Sequence, residues 1–342
     1  MMLFAPSMRI KLLVTFLFIF NLVYSQEITG IIIDGNSNIP IEGASIYFDN
    51  TTIGTTSNVK GEFILDYNKE IKTPLVVSFI GYKSIMFNEV SSDKAMKIYL
   101  YETNELLGEV LLTHSDDWPR ALKLHEFIKH YLGVTENGKN CTLLNEDDII
   151  LRFNKNRNQL TARAKAPLII KNPNLGYLIS VDLNHFEINY SFVSRNRKRR
   201  NFNYVYYSGT SYFKSTQKTA SNRTILNRNS AYEGSSLHFM RSLAQKSLNS
   251  DGFRIFLGTR PVDPKKYISI FPLEHSNSVN VKLKDKLIIL FKNGKQSSIE
   301  NVTKDFFIDH LGNHTPPENV RFEGDFGEQR MGDALPLNFS II

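Results

Sequence analysis

Between Ile28 and Ile85 the chain is a series of short β-forming runs, each cut off by residues that cannot continue a strand. The cuts fall at Pro40, Gly43-Ala44, Gly54-Thr55-Thr56, Gly61-Glu62-Phe63 and Phe79-Ile80-Gly81-Tyr82. Glu27 to Ile33 is rich in β-branched residues, and Asp34-Gly35-Asn36-Ser37-Asn38 is turn chemistry that must end it. Further runs follow at Ala44–Phe48, Glu62–Leu65, Leu75–Phe79, Tyr82–Phe87, Met96–Tyr101 and Gly108–Leu112. About seven strands at such close spacing predict a β-sandwich, and we expect antiparallel closure because helical crossovers have no room here. Val77, Phe79, Ile64 and Ile46 are the expected core.

Spacing and residue types together resemble the carboxypeptidase-regulatory-like domain, a transthyretin-like (prealbumin-like) sandwich found at the N-termini of exported and TonB-linked outer-membrane proteins of Gram-negative bacteria. The resemblance covers about a quarter of the chain and implies an exported protein. It implies no activity, because this domain is a non-catalytic accessory in its family. A zinc-ligand pattern of the carboxypeptidase type is missing from the sequence.

What precedes the sandwich agrees with export. Arg9 and Lys11 precede an apolar run from Leu12 to Val23, and Val23-Tyr24-Ser25 suits a processing site, so residues 1–25 read as a signal peptide and the mature chain as starting at Gln26. The run is shorter than the roughly 20 apolar residues of a membrane anchor. No cysteine follows it, which excludes the usual lipoprotein anchor, and the single Cys141 cannot form an internal disulfide. The implied location is the periplasm, the outer-membrane surface or the medium.

Charge divides what remains. Gln26 to Ser115 holds 12 acidic and 6 basic residues, whereas Asp116 to Ile342 holds 22 acidic and 33 basic ones. Arg152 to Arg228 carries 15 bases against only Asp182 and Glu187. The sharpest concentration is Arg195, Arg197, Lys198, Arg199 and Arg200, whose mutual repulsion requires solvent or an anionic partner. Beside it lies the tyrosine-rich stretch Phe202–Phe213. In a cytoplasmic protein this combination would suggest nucleic acid. Behind a signal peptide the available anions are lipopolysaccharide phosphates, acidic glycans and acidic protein surfaces.

Asp116-Asp117-Trp118-Pro119 reads as a helix start running to Leu132, with Ala121, Leu124, Ile128 and Tyr131 on one face and Gly133 as the stop. Strands are expected at Ile149–Phe153, Gln159–Ala164, Leu168–Ile170, Tyr177–Leu183, Phe186–Phe192, Phe202–Phe213, Gly252–Phe256 and Lys286–Phe291, with a second helix over Ser230–Leu248. The expected organisation is a sandwich at 26–115, an α+β domain at 116–312 and a loosely ordered tail at 313–342. The helix Phe127 to Asn137, the Cys141 segment, Leu168-Ile169-Ile170, Leu175-Gly176-Tyr177 and Ala231-Tyr232-Glu233-Gly234-Ser235 look like the poorly characterised extension that follows this sandwich in some exported bacterial proteins. That similarity carries over no catalytic residue.

Apparent catalytic motifs fail on geometry. His125 and His130 are five apart, about 140° around a helix, so they cannot share a metal as an H-E-x-x-H helix does. Asp34-x-Asn36-x-Asn38 starts like a calcium loop, but Ile39 stands where glycine is needed and Ser45 where glutamate is needed. Ser-x-x-Lys occurs at Ser57, Ser91, Ser211 and Ser215 without companion motifs. Nothing calls for a cofactor or a metal. Two candidates remain: the basic run as an anion-binding site, and His238 with Arg241 near Tyr232 and Glu233 as a polar pocket. The expectation is a non-catalytic cell-envelope binding or accessory protein linked to TonB-dependent nutrient uptake. The alternative is a periplasmic or secreted hydrolase of glycans or peptides with its site after residue 115.

Overall fold

The computed structural model describes residues 26–67, 71–91, 93–103, 116–274, 277–292 and 294–341. The expected signal peptide and the expected strand at Gly108–Leu112 lie outside them. The fold is mostly β and is organised around three hydrophobic cores.

The first core lies between two sheets. One contains β1 (Gln26–Asp34), β4 (Glu62–Tyr67) and β7 (Met96–Leu100) in the order β4-β1-β7, and the other β2 (Ser45–Phe48), β3 (Gly54–Thr56), β5 (Leu75–Ser78) and β6 (Ile85–Phe87) in the order β3-β2-β5-β6. Ile28, Ile32, Ile46, Phe48, Val77 and Leu100 are buried between them. Closure differs from the expectation, since β7 pairs with β1 in parallel from Gly30↔Met96 to Asp34↔Leu100. No helix is needed for the return, because the second sheet itself is the crossover. The expected core also needs two corrections. Ile64 is 61% exposed: on β4 the alternation buries Phe63, Leu65 and Tyr67 and turns Ile64 outward with Glu62 and Asp66. Phe79 lies just past β5, only half-buried at the rim of the core.

The second core begins at α1 (Arg120–Tyr131), which starts directly after the expected Asp116-Asp117-Trp118-Pro119 entry. Pro119 occupies the cap position, and the Asp116 carboxylate makes no cap. It accepts from Trp118 N and Phe153 N and pairs with Lys123 at 2.7 Å, which stitches the helix to the sheet below. The buried face is centred on Phe127 and Tyr131, while Ala121 is exposed. Leu124 and Ile128 pack at its edge. A short helix α2 (Glu136–Asn140) follows, and α1 covers one face of a six-stranded sheet made of β8 (Thr142–Leu143), β9 (Ile149–Asn154), β10 (Gln159–Ala164), β11 (Leu168–Asn172), β12 (Tyr177–Val193) and β13 (Arg200–Ser215). β12 merges two expected strands across an irregularity between Leu183 and His185, and β13 pairs along its whole length.

The expected helix over Ser230–Leu248 is two helices, α3 (Asn222–Tyr232) and α4 (Ser236–Ala244). Gly234 breaks them apart at φ +68°, where a Cβ would stand 2.4 Å from Phe291. Ser235 then caps α4 by accepting from His238 N at 3.0 Å. Phe239, Met240 and Leu243 of α4 enter the third core, against β14 (Phe253–Leu257), β15 (Leu287–Phe291) and β16 (Lys295–Asn301). The stretch expected to be a loose tail is packed. It contributes the edge strand Val320–Gly324 to this sheet and buries Leu335, Leu337 and Phe339. Its Gly, Pro and Asn residues make turns between anchored segments.

Candidate binding surface

The basic run forms the tip of the β12–β13 hairpin. Ser194 N donates to Arg199 O at 2.9 Å, Arg197 N to Ser194 O at 2.8 Å, and Lys198 N to the Asn196 side chain at 3.1 Å. Arg197 sits at the turn with φ +62°. Arg195, Lys198 and Arg199 are exposed and Arg197 is half-buried. Arg200 points inward. Its Nη2 donates to Glu126 Oε1 at 2.9 Å, and its guanidinium lies 5.7 Å from the Trp118 ring centroid.

Glu126 is only 2% exposed, and its other oxygen accepts from Tyr190 OH at 2.7 Å. Burial works to raise the Glu126 carboxyl, but Tyr190, Arg200 and His130 outweigh it and hold the group below the usual range. His130 Nε2 lies 3.8 Å from the same carboxylate, while its ring stacks on Phe202 with centroids 4.6 Å apart. Burial pushes the His130 imidazole down to about 4 in spite of that carboxylate. Of the five cations in the run, Arg195, Lys198 and Arg199 are exposed and make no ion pair among the described residues, whereas Arg200 is a structural clamp beside the hairpin's turn.

Two cations of the Arg152–Arg228 block that lie outside the run join them. The β9–β10 turn is shaped by Asn154, whose Oδ1 accepts from Asn156 N and Arg157 N. Tyr190 N donates to Asn158 O at 2.9 Å, and Gln159 pairs with Asn189. This register puts Lys155 and Arg157 at the same end of the sheet as the hairpin tip. Both are exposed, and the 3.7 Å contact of Lys155 with Asp117 is a solvent-facing pair of little strength. Phe192, Phe202 and Tyr204 add exposed aromatic surface beside them. The Asn-rich turn between the two strands is legible in the sequence, but its place beside the hairpin tip comes only from the register of β10 with β12.

The second candidate is not a pocket. His238 Nδ1 accepts from Gly234 N, and its ring is enclosed by Tyr232, Phe253 and Phe291. Arg241 donates to the carbonyls of Leu311, Leu337 and Phe339 at 2.8–2.9 Å and lies over Tyr232, which fastens the C-terminal segment to α4. Glu233 pairs instead with Lys292. His125 is exposed and distant in role from His130, and no group of three or more His, Cys, Asp or Glu is placed to hold a metal among the described residues. Asp34 caps its own turn and is held down to about 2, first by the Tyr82 hydroxyl and then by backbone N–H groups. Ser57 and Ser211 spend their hydroxyls on Ile41 O and Asn50 Oδ1. Burial pushes the Cys141 thiol up to about 12, so it stays protonated.

One cleft of about 370 Å³ opens between α2, α3 and β16, lined by Asn137, Asn174, Arg223, Lys295, Glu328 and Asp333 among others. Burial raises the Asp333 carboxyl, but its two oxygens already accept from Thr135 Oγ1 at 2.8 Å and Asn137 Nδ2 at 3.0 Å.

The sandwich docks on the solvent face of the six-stranded sheet. Tyr47 OH and Thr210 Oγ1 are 2.9 Å apart, Tyr47 stacks on Tyr212, and Ser84 donates to Asp182. The loop Asp49–Thr52 continues the pairing on the outer edge of β13, with Asn50 N to Ser211 O and Phe213 N to Thr51 O. Residues 28–112 match the CarboxypepD_reg-like domain. No curated protein matches the chain. The CarboxypepD_reg-like domain is thus hydrogen-bonded to the sheet whose far end carries the cations. Burial at this joint pushes the Asp49 carboxyl up to about 6, against the pull of Ser211 and Asn50 N–H donors. No helix among the described residues is long and apolar enough to cross a membrane.

Proposed function

We propose that this protein is a non-catalytic binding protein of the cell envelope, an accessory of TonB-dependent nutrient uptake, which attaches through the cationic end of its six-stranded sheet to an anionic envelope component. The observation that carries this reading is the convergence of two separate turns, which gather Lys155, Arg157, Arg195, Lys198 and Arg199 on one exposed end. The sequence resemblance to exported proteins, the signal-peptide-like residues 1–25 and the match of residues 28–112 support a periplasmic, outer-membrane-associated or secreted location. The hydrolase alternative would draw on the cleft at Asp333. There the carboxylate is engaged as an acceptor by Thr135 and Asn137, which leaves binding as the better reading.

The test is retention on isolated envelope fractions. Electrostatic attachment should fade between about 0.1 M and 1 M salt as the Debye length falls from about 10 Å to about 3 Å. The R195S/K198S/R199S variant should be released already at the lower salt with its circular dichroism unchanged. Retention of that variant with an unaltered salt profile would remove the cationic end from the function.

A further inference from the structure

Among the described residues, the CarboxypepD_reg-like domain covers the Asp182–Tyr212 half of the sheet's solvent face. The other half, which runs on into the cationic end, stays open: Arg152, Arg163 and His185 are exposed and Tyr204 is 42% exposed. Phe186, Ile188 and Tyr190 turn to the opposite, buried face under α1, so the alternate residues of the same strands present one surface. Register sets them in rows. Tyr206, Glu187, Thr161 and Arg152 stand opposite one another across four strands, and Tyr204, Asn189 and Gln159 form the next row. With strands about 4.8 Å apart, a row spans about 14 Å.

Glu187 is the hub of this face. It accepts from Gln159 Nε2 at 2.8 Å, from Tyr204 OH at 2.9 Å and faces His185 Nε2 at 3.2 Å. Tyr204 is thereby fixed by its hydroxyl while its ring remains exposed, and the Tyr206 ring is held 5.6 Å from that of His185. Immobilised tyrosines offer flat apolar area at small entropic loss, and the amides beside them both donate and accept. The complementary ligand has apolar C–H faces and hydroxyl edges, which is a sugar ring. Since Glu187 is already engaged, the charges left for a ligand are those of Arg152 and Arg163, continued by the cations at the sheet's end. That sign selects sugars bearing carboxylate or sulfate. A planar lipid surface would meet the end of the sheet and miss this face.

We propose that the open half of the sheet is a binding track for an acidic polysaccharide, with Tyr204 and Tyr206 stacking on sugar rings and Arg152 and Arg163 pairing with their acid groups. This rests on the reading of the cationic end as an anion-binding surface and narrows its ligand. The test is affinity gel electrophoresis of the full chain with polygalacturonate, heparin and neutral dextran, beside sedimentation with phosphatidylglycerol vesicles. The protein should be retarded by at least one acidic polymer and not by dextran. Y204A/Y206A should weaken that binding by about tenfold or more and leave vesicle binding as it was, and R152S should do the same in part. R195S/K198S/R199S should weaken both. Wild-type affinity in Y204A/Y206A, equal retardation by dextran, or binding to vesicles alone overturns the track and leaves the cationic end standing. Loss of all binding by the wild-type protein overturns both.

Discussion

Arg200→Ala should destabilise the second core by about 3 kcal/mol at pH 7, although Arg200 belongs to a run that sequence alone marks as surface. The change strands Glu126, 2% exposed, with a single remaining donor, Tyr190 OH. Removing one partner of a buried pair costs about 3–5 kcal/mol, and the 21% exposure of Arg200 lets water reach the site and favours the lower figure. Trp118 is the only tryptophan and stacks on Phe153 at 4.0 Å beneath the Arg200 guanidinium, so its fluorescence in urea reports this core alone. With a slope of about 2 kcal/mol per molar urea the midpoint should fall by roughly 1.5 M. In the wild type the Glu126 carboxyl is held low, so its contribution is present above the ordinary carboxylate range and lost as pH falls through its folded value. In R200A burial is left to raise the group, and acidification to about pH 4 should narrow the gap to wild type. Replacing the whole network, as E126L/Y190F/R200M, should recover most of the loss because no unpaired polar group remains. A loss under about 1 kcal/mol in R200A, or a triple variant as weak as the sum of its parts, would refute the clamp.

Phe63→Ala should cost the sandwich about 3–5 kcal/mol while Ile64→Ala stays within about 0.5 kcal/mol, read from chemical denaturation; equal effects would mean that the β4 register is wrong. His130 is held down to about 4 whereas an unfolded histidine titrates near 6.5, so stability falls as pH drops through that window. Between pH 7 and pH 5 we expect a loss of about 1–2 kcal/mol after allowance for partial solvent access, and H130F should flatten that slope in urea titrations. Asp49 works in the opposite sense: its folded value of about 6 lies above the unfolded one, so its contribution is lost as pH rises from about 4 to 6. D49N should therefore be more stable relative to wild type at pH 7 than at pH 4, and the same offset at both would show that the buried carboxyl does not titrate as described. Arg241→Lys, which keeps the charge but cannot reach three carbonyls, should speed amide exchange in Leu335–Phe339. Unchanged exchange there would show that the segment is held by packing alone.

The sandwich was legible because turn residues and period-2 alternation act locally. Even the error at Ile64 was readable, since Glu62 and Asp66 share its parity and mark that side of β4 as wet. Which strand pairs with which is not local, and the parallel partnership of β1 with β7 leaves no trace in the spacing of either. The Ser230–Leu248 helix was misjudged at its start because its apolar stripe, Leu237, Met240, Ala244 and Leu248, lies wholly past the break and does not mark where the helix begins; only the clash that Phe291 would impose on a side chain at Gly234 shows why the chain must turn. The basic block was visible as composition. Its division into three exposed cations and one clamp was not, because Glu126 lies 74 residues from Arg200 in sequence. Lys155 and Arg157 likewise became part of the surface only through the β10–β12 register.

The parallel β1–β7 pair also decides how the domain carries load. β1 starts at Gln26 and β7 ends at Leu100, at opposite ends of the pair, so a pull on Gln26 against the residues past Leu100 draws the two strands along their length in opposite directions. The five register positions from Gly30 to Asp34 then bear the force together in shear, instead of opening one after another as they would at a peeled hairpin. Pulled through these two ends, the domain therefore resists as a unit and gives way in one step.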